Sequence, residues 1–265
     1  MSRNRALLTA AAASAAFLAL TGCGSSGESG GAGEELGLVS GDTLTVATEG
    51  TYRPFSYHDE SGELVGYDVE VAEAVAEKLG VEVTFEETQW DAIFAGLDAG
   101  RFDTIANQVS ITPEREADYV FSTPYTVSNG VLVVSADNNE IKGFEDLEGK
   151  TTAQSLTSNW NALAQESGAE VEAVEGWAQA VALLDQGRVD ATINDSLTYL
   201  DYANTEDASG IEVAAETDEE SQSAFVAVPE REALTEAIDG ALEELRTDGT
   251  LAELGEKYFG EDVSE

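Results

Sequence analysis

Hydrophobic and polar positions along this chain switch repeatedly between a strand rhythm and a helix rhythm. Leu44-Thr-Val-Ala-Thr48 reads as a strand, and Val81-Glu-Val-Thr-Phe85 alternates as another. Between them Val71, Ala72, Val75 and Leu79 fall on one face of a helix predicted over Tyr67–Leu79, which Gly80 terminates. A hairpin is expected around Glu60–Glu63. Trp90–Leu97 reads as a second helix, stopped near Gly100, and Phe102–Asn107 as a short buried strand. The order strand, loop, helix, strand, helix, strand belongs to a largely parallel sheet with helices on both faces.

The rhythm then restarts. Gly130–Ser135, Lys150–Gln154, Val171–Val174 and Val189–Asn194 read as strands. A short helix is expected over Phe144–Leu147. Longer ones are expected over Asn159–Ser167 (capped by Thr157 or Ser158 and ended by Gly168), Trp177–Leu184 and Leu197–Tyr202. Ala224–Val228 is a last strand, and Glu230–Arg246 is amphipathic through Leu234, Ala237, Ile238, Ala241 and Leu245. Two α/β units in series predict two lobes. Ligands of such sheets bind at the carboxyl ends of the strands. Those ends carry Glu49–Tyr52, Gln89–Trp90, Asn107–Ser110, Thr157–Asn159 and Asp195, so one cleft between the lobes is expected.

The richest of these edges is Asn107-Gln-Val-Ser-Ile-Thr-Pro-Glu-Arg115. Thr112 followed by Pro113 and Glu114 reads as a helix start, whose free N–H groups suit a small anion. Arg115 in that first turn adds a guanidinium fork fit for a carboxylate, although the helix dipole disfavours a cation there. The alternative is a solvated surface arginine. Composition weighs against it, because 12 Lys and Arg face 53 Asp and Glu.

The formal net charge of −41 argues against nucleic acid or an anionic membrane surface as partner. Disorder is excluded by 42% hydrophobic content with clear periodicity. A basic Met-Ser-Arg-Asn-Arg start and an apolar run from Ala6 to Leu20 form an export signal, expected over residues 1–22. Cys23 is the sole cysteine, so no intrachain disulfide is possible. Gly- and Ser-rich residues 23–41 read as a flexible tether. His58, the one histidine, reads as solvated, and no metal-ligand cluster or cofactor motif appears.

Several stretches together resemble extracellular solute-binding proteins of family 3, the polar amino-acid-binding lipoproteins of ABC importers. They are Glu49-Gly-Thr-Tyr-Arg-Pro-Phe-Ser, Gly66-Tyr-Asp-Val-Glu, Ser110-Ile-Thr-Pro-Glu-Arg, Phe121-Ser-Thr-Pro-Tyr, Gly187-Arg-Val-Asp-Ala and Asp248-Gly-Thr-Leu. Leu20-Thr-Gly-Cys23 is similar to the lipobox of such lipoproteins, which implies cleavage before Cys23 and a lipid anchor on the outer face of the cell membrane. The resemblance implies an α/β, two-lobed, periplasmic-binding-protein-like fold of type II, with two crossover strands acting as a hinge. On that basis residues 42–128 and 224–265 form lobe 1 and residues 129–223 form lobe 2, with crossovers near Ser128–Val131 and Ser221–Ala224.

The resemblance also implies roles. Arg115 and the backbone around Ser110 hold the ligand's α-carboxylate, and Asp195 accepts from its α-ammonium. Thr157 and Ser158 belong to lobe 2's carboxylate-facing loop, whose Gln154-Ser-Leu-Thr-Ser-Asn lacks the glycine expected there. Tyr52 and Trp90 stack on the ligand side chain, and Glu49, Asn107 and Gln108 line the pocket. The alternatives are a core role for Trp90 and a simple helix cap for Asp195. Among family members the sequence looks most like those that bind cystine, with Glu49 expected to take a distal ammonium and Asn107 and Gln108 a distal carboxylate. A basic amino acid is the runner-up. An extracytoplasmic dehydratase of the same fold and a sensor feeding a receptor are the readings from other classes. A monomer delivering an amino acid to an ABC permease, without cofactor, metal or catalysis of its own, is the expected function.

Overall fold

The computed structural model describes residues 32–265, so the export signal and Cys23 lie outside the described residues. After helix α1 (Ala32–Leu36) come β1 (Thr43–Thr48) and a three-stranded ribbon of β2 (Thr51–Tyr52), β3 (Ser56–His58) and β4 (Leu64–Val65). Then follow α2 (Tyr67–Leu79), β5 (Glu82–Glu87), α3 (Trp90–Asp98), β6 (Thr104–Ile105), the one-turn α4 (Pro113–Glu116) and β7 (Val120–Phe121). The second unit holds β8 (Thr126–Ser135), β9 (Thr151–Gln154), α5 (Asn159–Glu166), β10 (Glu170–Ala173), α6 (Trp177–Asp185), β11 (Ala191–Asp195), α7 (Ser196–Thr205) and β12 (Ile211–Ser223). The chain returns through β13 (Val226–Ala227), α8 (Glu232–Asp248) and α9 (Thr250–Phe259).

These strands form two five-stranded sheets, in the orders β5-β1-β6-β13-β7 and β10-β9-β11-β8-β12. The inner pairings β1–β5, β1–β6, β9–β10 and β9–β11 are parallel, which sends their carboxyl ends to one edge of each sheet. The fold is mixed α/β and two-lobed. Leu44, Val46, Val71, Val75, Phe225 and Ile238 belong to the core between the first sheet and its helices. The second sheet has a separate apolar cluster on each face, built around Val131 and Val133 on one side and Leu132 and Val134 on the other. That alternation along β8 follows from the two-residue period of a strand covered on both faces.

Two antiparallel strands join the lobes. The Thr126–Asn129 end of β8 pairs with the Glu220–Ser223 end of β12. A register shift between Glu216 and Glu220 then separates this ribbon from the part of β12 that edges the second sheet. Within the sheet, Gly130 meets Trp160. A Cβ at Gly130 would lie 2.4 Å from the indole, so the glycine is what lets that ring pack there.

Residues 32–41, expected as the end of the flexible tether, are docked instead. Leu36 and Leu38 pack against the first lobe's core, and the Gly33 N–H donates to Asp42. The buried Asp103 accepts from the Val39 and Thr45 N–H groups at 2.8 and 2.9 Å and pairs with Arg231 at 2.8 Å. Arg231 in turn donates to the Gly37 carbonyl. Glycine-rich composition concealed two apolar anchors and a buried carboxylate distant in sequence.

Candidate functional site

The carboxyl ends of both sheets face one another across a cavity of about 530 Å3, mouth included. From the first lobe it is lined by Glu49 and Tyr52 after β1, Trp90 opening α3, and Asn107 and Gln108 after β6. From the second it is lined by Gln154 and Ser158 around the start of α5, Trp160, Gly176 and Trp177 at the start of α6, and Asn194 at the end of β11.

Asn107 is fully buried and held by its neighbours. Its Oδ1 accepts from Thr48 Oγ1 at 2.9 Å and the Glu49 N–H at 2.8 Å, and its Nδ2 donates to Glu49 at 2.7 Å. Gln108 sits at φ 50, a left-handed conformation unfavourable for a side chain of this kind. Buried Asp68 holds it there, accepting from the Gln108 N–H at 2.8 Å and from Nε2 at 2.6 Å. Gln108 thus gives its amide protons to Asp68 and Thr126, whereas Asn107 gives one of its two to Glu49. This bonding leaves Gln108 without an amide proton for a ligand carboxylate and Asn107 with one.

Glu49 meets no basic side chain within 4 Å among the described residues. Burial raises its pKa to about 7, against the hydrogen bond from Asn107, with Glu175 and Asp91 adding repulsion. A carboxylate so placed is stabilised by an incoming cation. Donors on the walls complement it. The Trp90 and Trp177 indole N–H groups and the Gln154 amide Nε2 are buried without an acceptor among the described residues. The site offers an uncompensated negative group and unmatched donors together, which is the complement of a zwitterion.

Arg115 stands beside the cavity. Its guanidinium lies 5.3 Å from the Trp90 ring centroid, donates to the Ser110 and Thr157 carbonyls, and has no carboxylate within 4 Å among the described residues. Burial lowers its pKa to about 10, still leaving it charged at neutral pH. Ser110 is buried at the hinge ribbon, where its hydroxyl accepts from Ser221 at 3.0 Å. Thr157 is tied to Asp91 on α3 through its N–H and hydroxyl at 3.0 and 2.9 Å.

Asp195 stands at the end of β11, the strand-end position expected for it. It is the N-cap of α7, with one oxygen on the Leu197 N–H at 2.9 Å and the other on the Ser128 hydroxyl at 2.5 Å. Burial raises its pKa to about 6, and Asn194 rather than Asp195 contributes to the cavity wall. The structure therefore brings Glu49, Tyr52, Trp90, Asn107, Gln108 and Ser158 together around one space. Ser110, Arg115, Thr157 and Asp195 adjoin lining residues without themselves lining it. Gln154, Trp160, Trp177 and Asn194 were not singled out from the sequence, although Gln154 and Trp177 occupy the same strand-end and helix-start positions that pointed to Trp90.

Contacts across the cleft hold the lobes together. Tyr52 donates to Asn194 at 2.8 Å and accepts from Thr198 at 3.1 Å, and Arg53 pairs with Asp201 at 3.0 Å. Leu197 from the second unit is buried within the first lobe's core cluster.

The model of bacterial extracellular solute-binding proteins, family 3, matches residues 44–261. The chain belongs to that family. Its relatives include the L-cystine-binding protein TcyA of Bacillus subtilis, 51% identical over 83% of this chain and 82% of that protein. A probable amino-acid ABC transporter-binding protein of Haemophilus influenzae is 49% identical, over 84% of this chain and 87% of its own length. Among solved structures, the L-cystine solute receptor of Neisseria gonorrhoeae in its unliganded open conformation is 49% identical, covering 84% of this chain and 94% of that one, with a TM-score of 0.57. An ancestral arginine-binding protein bound to arginine is only 35% identical, over 83% and 99% of the two chains, yet reaches 0.77. As a family 3 chain the protein is a binding component of an ABC system and works outside the cytoplasm. No helix among the described residues is long and apolar enough to cross a membrane.

Proposed function

We propose that this solute-binding chain captures an amino acid, L-cystine before others, and hands it unchanged to an ABC permease. The observation that carries the reading is the uncompensated Glu49 facing unmatched Trp and Gln donors in one cavity. The names of the relatives TcyA and the gonococcal receptor favour cystine. A basic amino acid would use the same Glu49 and is the second choice. Thermal unfolding with each common amino acid and L-cystine tests the reading, since a ligand that binds only the folded chain raises its stability by mass action. L-cystine should give the largest shift and be recovered intact. A panel without any shift removes the proposal.

Arg115 is assigned to the ligand's carboxylate because it is a half-buried cation without a counter-ion among the described residues of a strongly acidic chain. Arg115→Ala should weaken L-cystine binding by at least about tenfold, or ~1.4 kcal/mol. An unchanged dissociation constant would place the carboxylate elsewhere.

Closure about the β8–β12 ribbon is the proposed working motion. The cross-cleft bonds of Tyr52 and Arg53, and the higher TM-score to the arginine-bound relative than to the open receptor, support a clasped arrangement. Small-angle scattering should show a monomer whose radius of gyration shrinks when L-cystine is added. Identical curves with and without saturating ligand would argue for a rigid pocket. Anchoring through lipidated Cys23 is proposed from Leu20-Thr-Gly-Cys23. Cys23→Ser should release the chain or leave it unprocessed, whereas normal processing and membrane retention would refute the anchor.

A further inference from the structure

Cystine carries an amino-acid head group at each end, and Arg115 can serve only one carboxylate. For the other, Gln108 has no amide proton left to give and Asn107 only one, which is less than a carboxylate's two oxygens call for. The second lobe's wall supplies a receptor. Helix α6 opens at Gly176, which has φ 101 and offers no side-chain cap, and no acidic residue stands in its first turn. Gly176 and Trp177 both line the cavity. The N–H groups of such a first turn are free donors with partial positive charge.

A second observation is independent of the helix. Gln154, at the end of β9, is only 3% exposed and lines the same cavity, yet its Nε2 has no partner among the described residues. The Trp177 indole N–H is likewise buried and unmatched. Leaving such donors unpaired is costly, so the arrangement calls for an acceptor. Glu175, the acid next to this helix start, is exposed. Glu49 lines the same cavity from the first lobe.

Resting on the amino-acid reading above, we propose that Gln154, Trp177 and the N-terminus of α6 form a second carboxylate subsite, for the far head group of a ligand that is an amino acid at both ends. Glu49 receives that head group's ammonium, and Arg115 serves the near carboxylate. The preferred ligand class is therefore the bis-amino acids, of which L-cystine is one. Arginine and glutamine lack the far carboxylate and leave Gln154 and Trp177 unmatched.

Two mixed disulfides dissect the subsite. L-cysteine joined to cysteamine keeps the far ammonium and lacks the far carboxylate, while L-cysteine joined to 3-mercaptopropionate does the reverse. Calorimetry without reductant should show the cysteamine disulfide binding the unaltered chain at least about tenfold more weakly than L-cystine. Gln154→Leu should weaken L-cystine by about tenfold and leave the cysteamine disulfide within about twofold. The mercaptopropionate disulfide should lose affinity in Gln154→Leu as L-cystine does. Equal binding of L-cystine and the cysteamine disulfide by the unaltered chain overturns the subsite while the amino-acid reading stands, and needs no variant to fold. Gln154→Leu weakening all three ligands alike also overturns it. Failure of L-cystine and of every common amino acid to bind overturns both.

Discussion

Glu49→Gln should weaken L-cystine binding by roughly 2–5 kcal/mol, about thirtyfold or more. The glutamine preserves size and can still engage Asn107, so what is lost is the charge that an ammonium would meet. The pH dependence sharpens the expectation. In the empty site Glu49 has its pKa raised from 4.5 to about 7 by burial, and an ammonium beside it would draw that value down again. Below about pH 7 the ligand must therefore expel a proton, and affinity should fall as pH drops from about 7 towards about 5. Glu49→Gln should flatten that part of the profile.

The empty chain responds in the opposite sense. A carboxyl group whose folded pKa lies above its unfolded value binds protons more tightly when folded, so stability falls as pH rises between the two values. Glu49 and Asp68 at about 7, and Asp195 at about 6, all act in this direction. The unliganded protein should melt higher at pH 5 than at pH 8, and saturating L-cystine should reduce that difference. A Glu49→Gln variant with unaltered affinity and an unaltered pH profile would remove Glu49 from the site.

Asp103→Ala should cost about 3–5 kcal/mol of folding stability. Asp103 is wholly buried and serves the Val39 N–H, the Thr45 N–H and Arg231 at once. Alanine leaves a largely buried guanidinium without its counter-ion and two backbone donors without an acceptor. Because one of those donors belongs to the docked segment before β1, residues 32–41 should also become open to proteolysis. The Lys78–Asp248 pair is a suitable contrast, being solvent-facing; Lys78→Ala should change stability by less than about 1 kcal/mol. Denaturant unfolding of the two variants checks both. A loss below about 1 kcal/mol for Asp103→Ala would mean that the clasp contributes little.

The two-unit α/β rhythm was legible because each strand and helix announces itself by local periodicity, and the strand-end rule then pointed to Glu49, Tyr52, Trp90, Asn107 and Gln108. Other features depended on partners far along the chain. Residues 211–220, Ile-Glu-Val-Ala-Ala-Glu-Thr-Asp-Glu-Glu, are rich in acids, yet they form most of β12 because β8 offers a long edge with which to pair. Asp195 and Asn194 are neighbours on β11, and strand alternation with the cap of α7 turns the amide, rather than the acid, to the cavity. The second carboxylate subsite was hidden for the same reason: Gln154 matters only because α6, more than twenty residues later, starts beside the same cavity.

Isothermal titration calorimetry of the chain with L-cystine, L-arginine and L-glutamine at neutral pH, without reductant, tests the central claim most directly. L-cystine should bind saturably with one molecule per chain and more tightly than either competitor, because it alone engages Glu49, Arg115 and the Gln154–Trp177 wall together. Tighter binding of arginine or glutamine would contradict the cystine assignment, and no saturable heat from any of the three would contradict this account of the cavity.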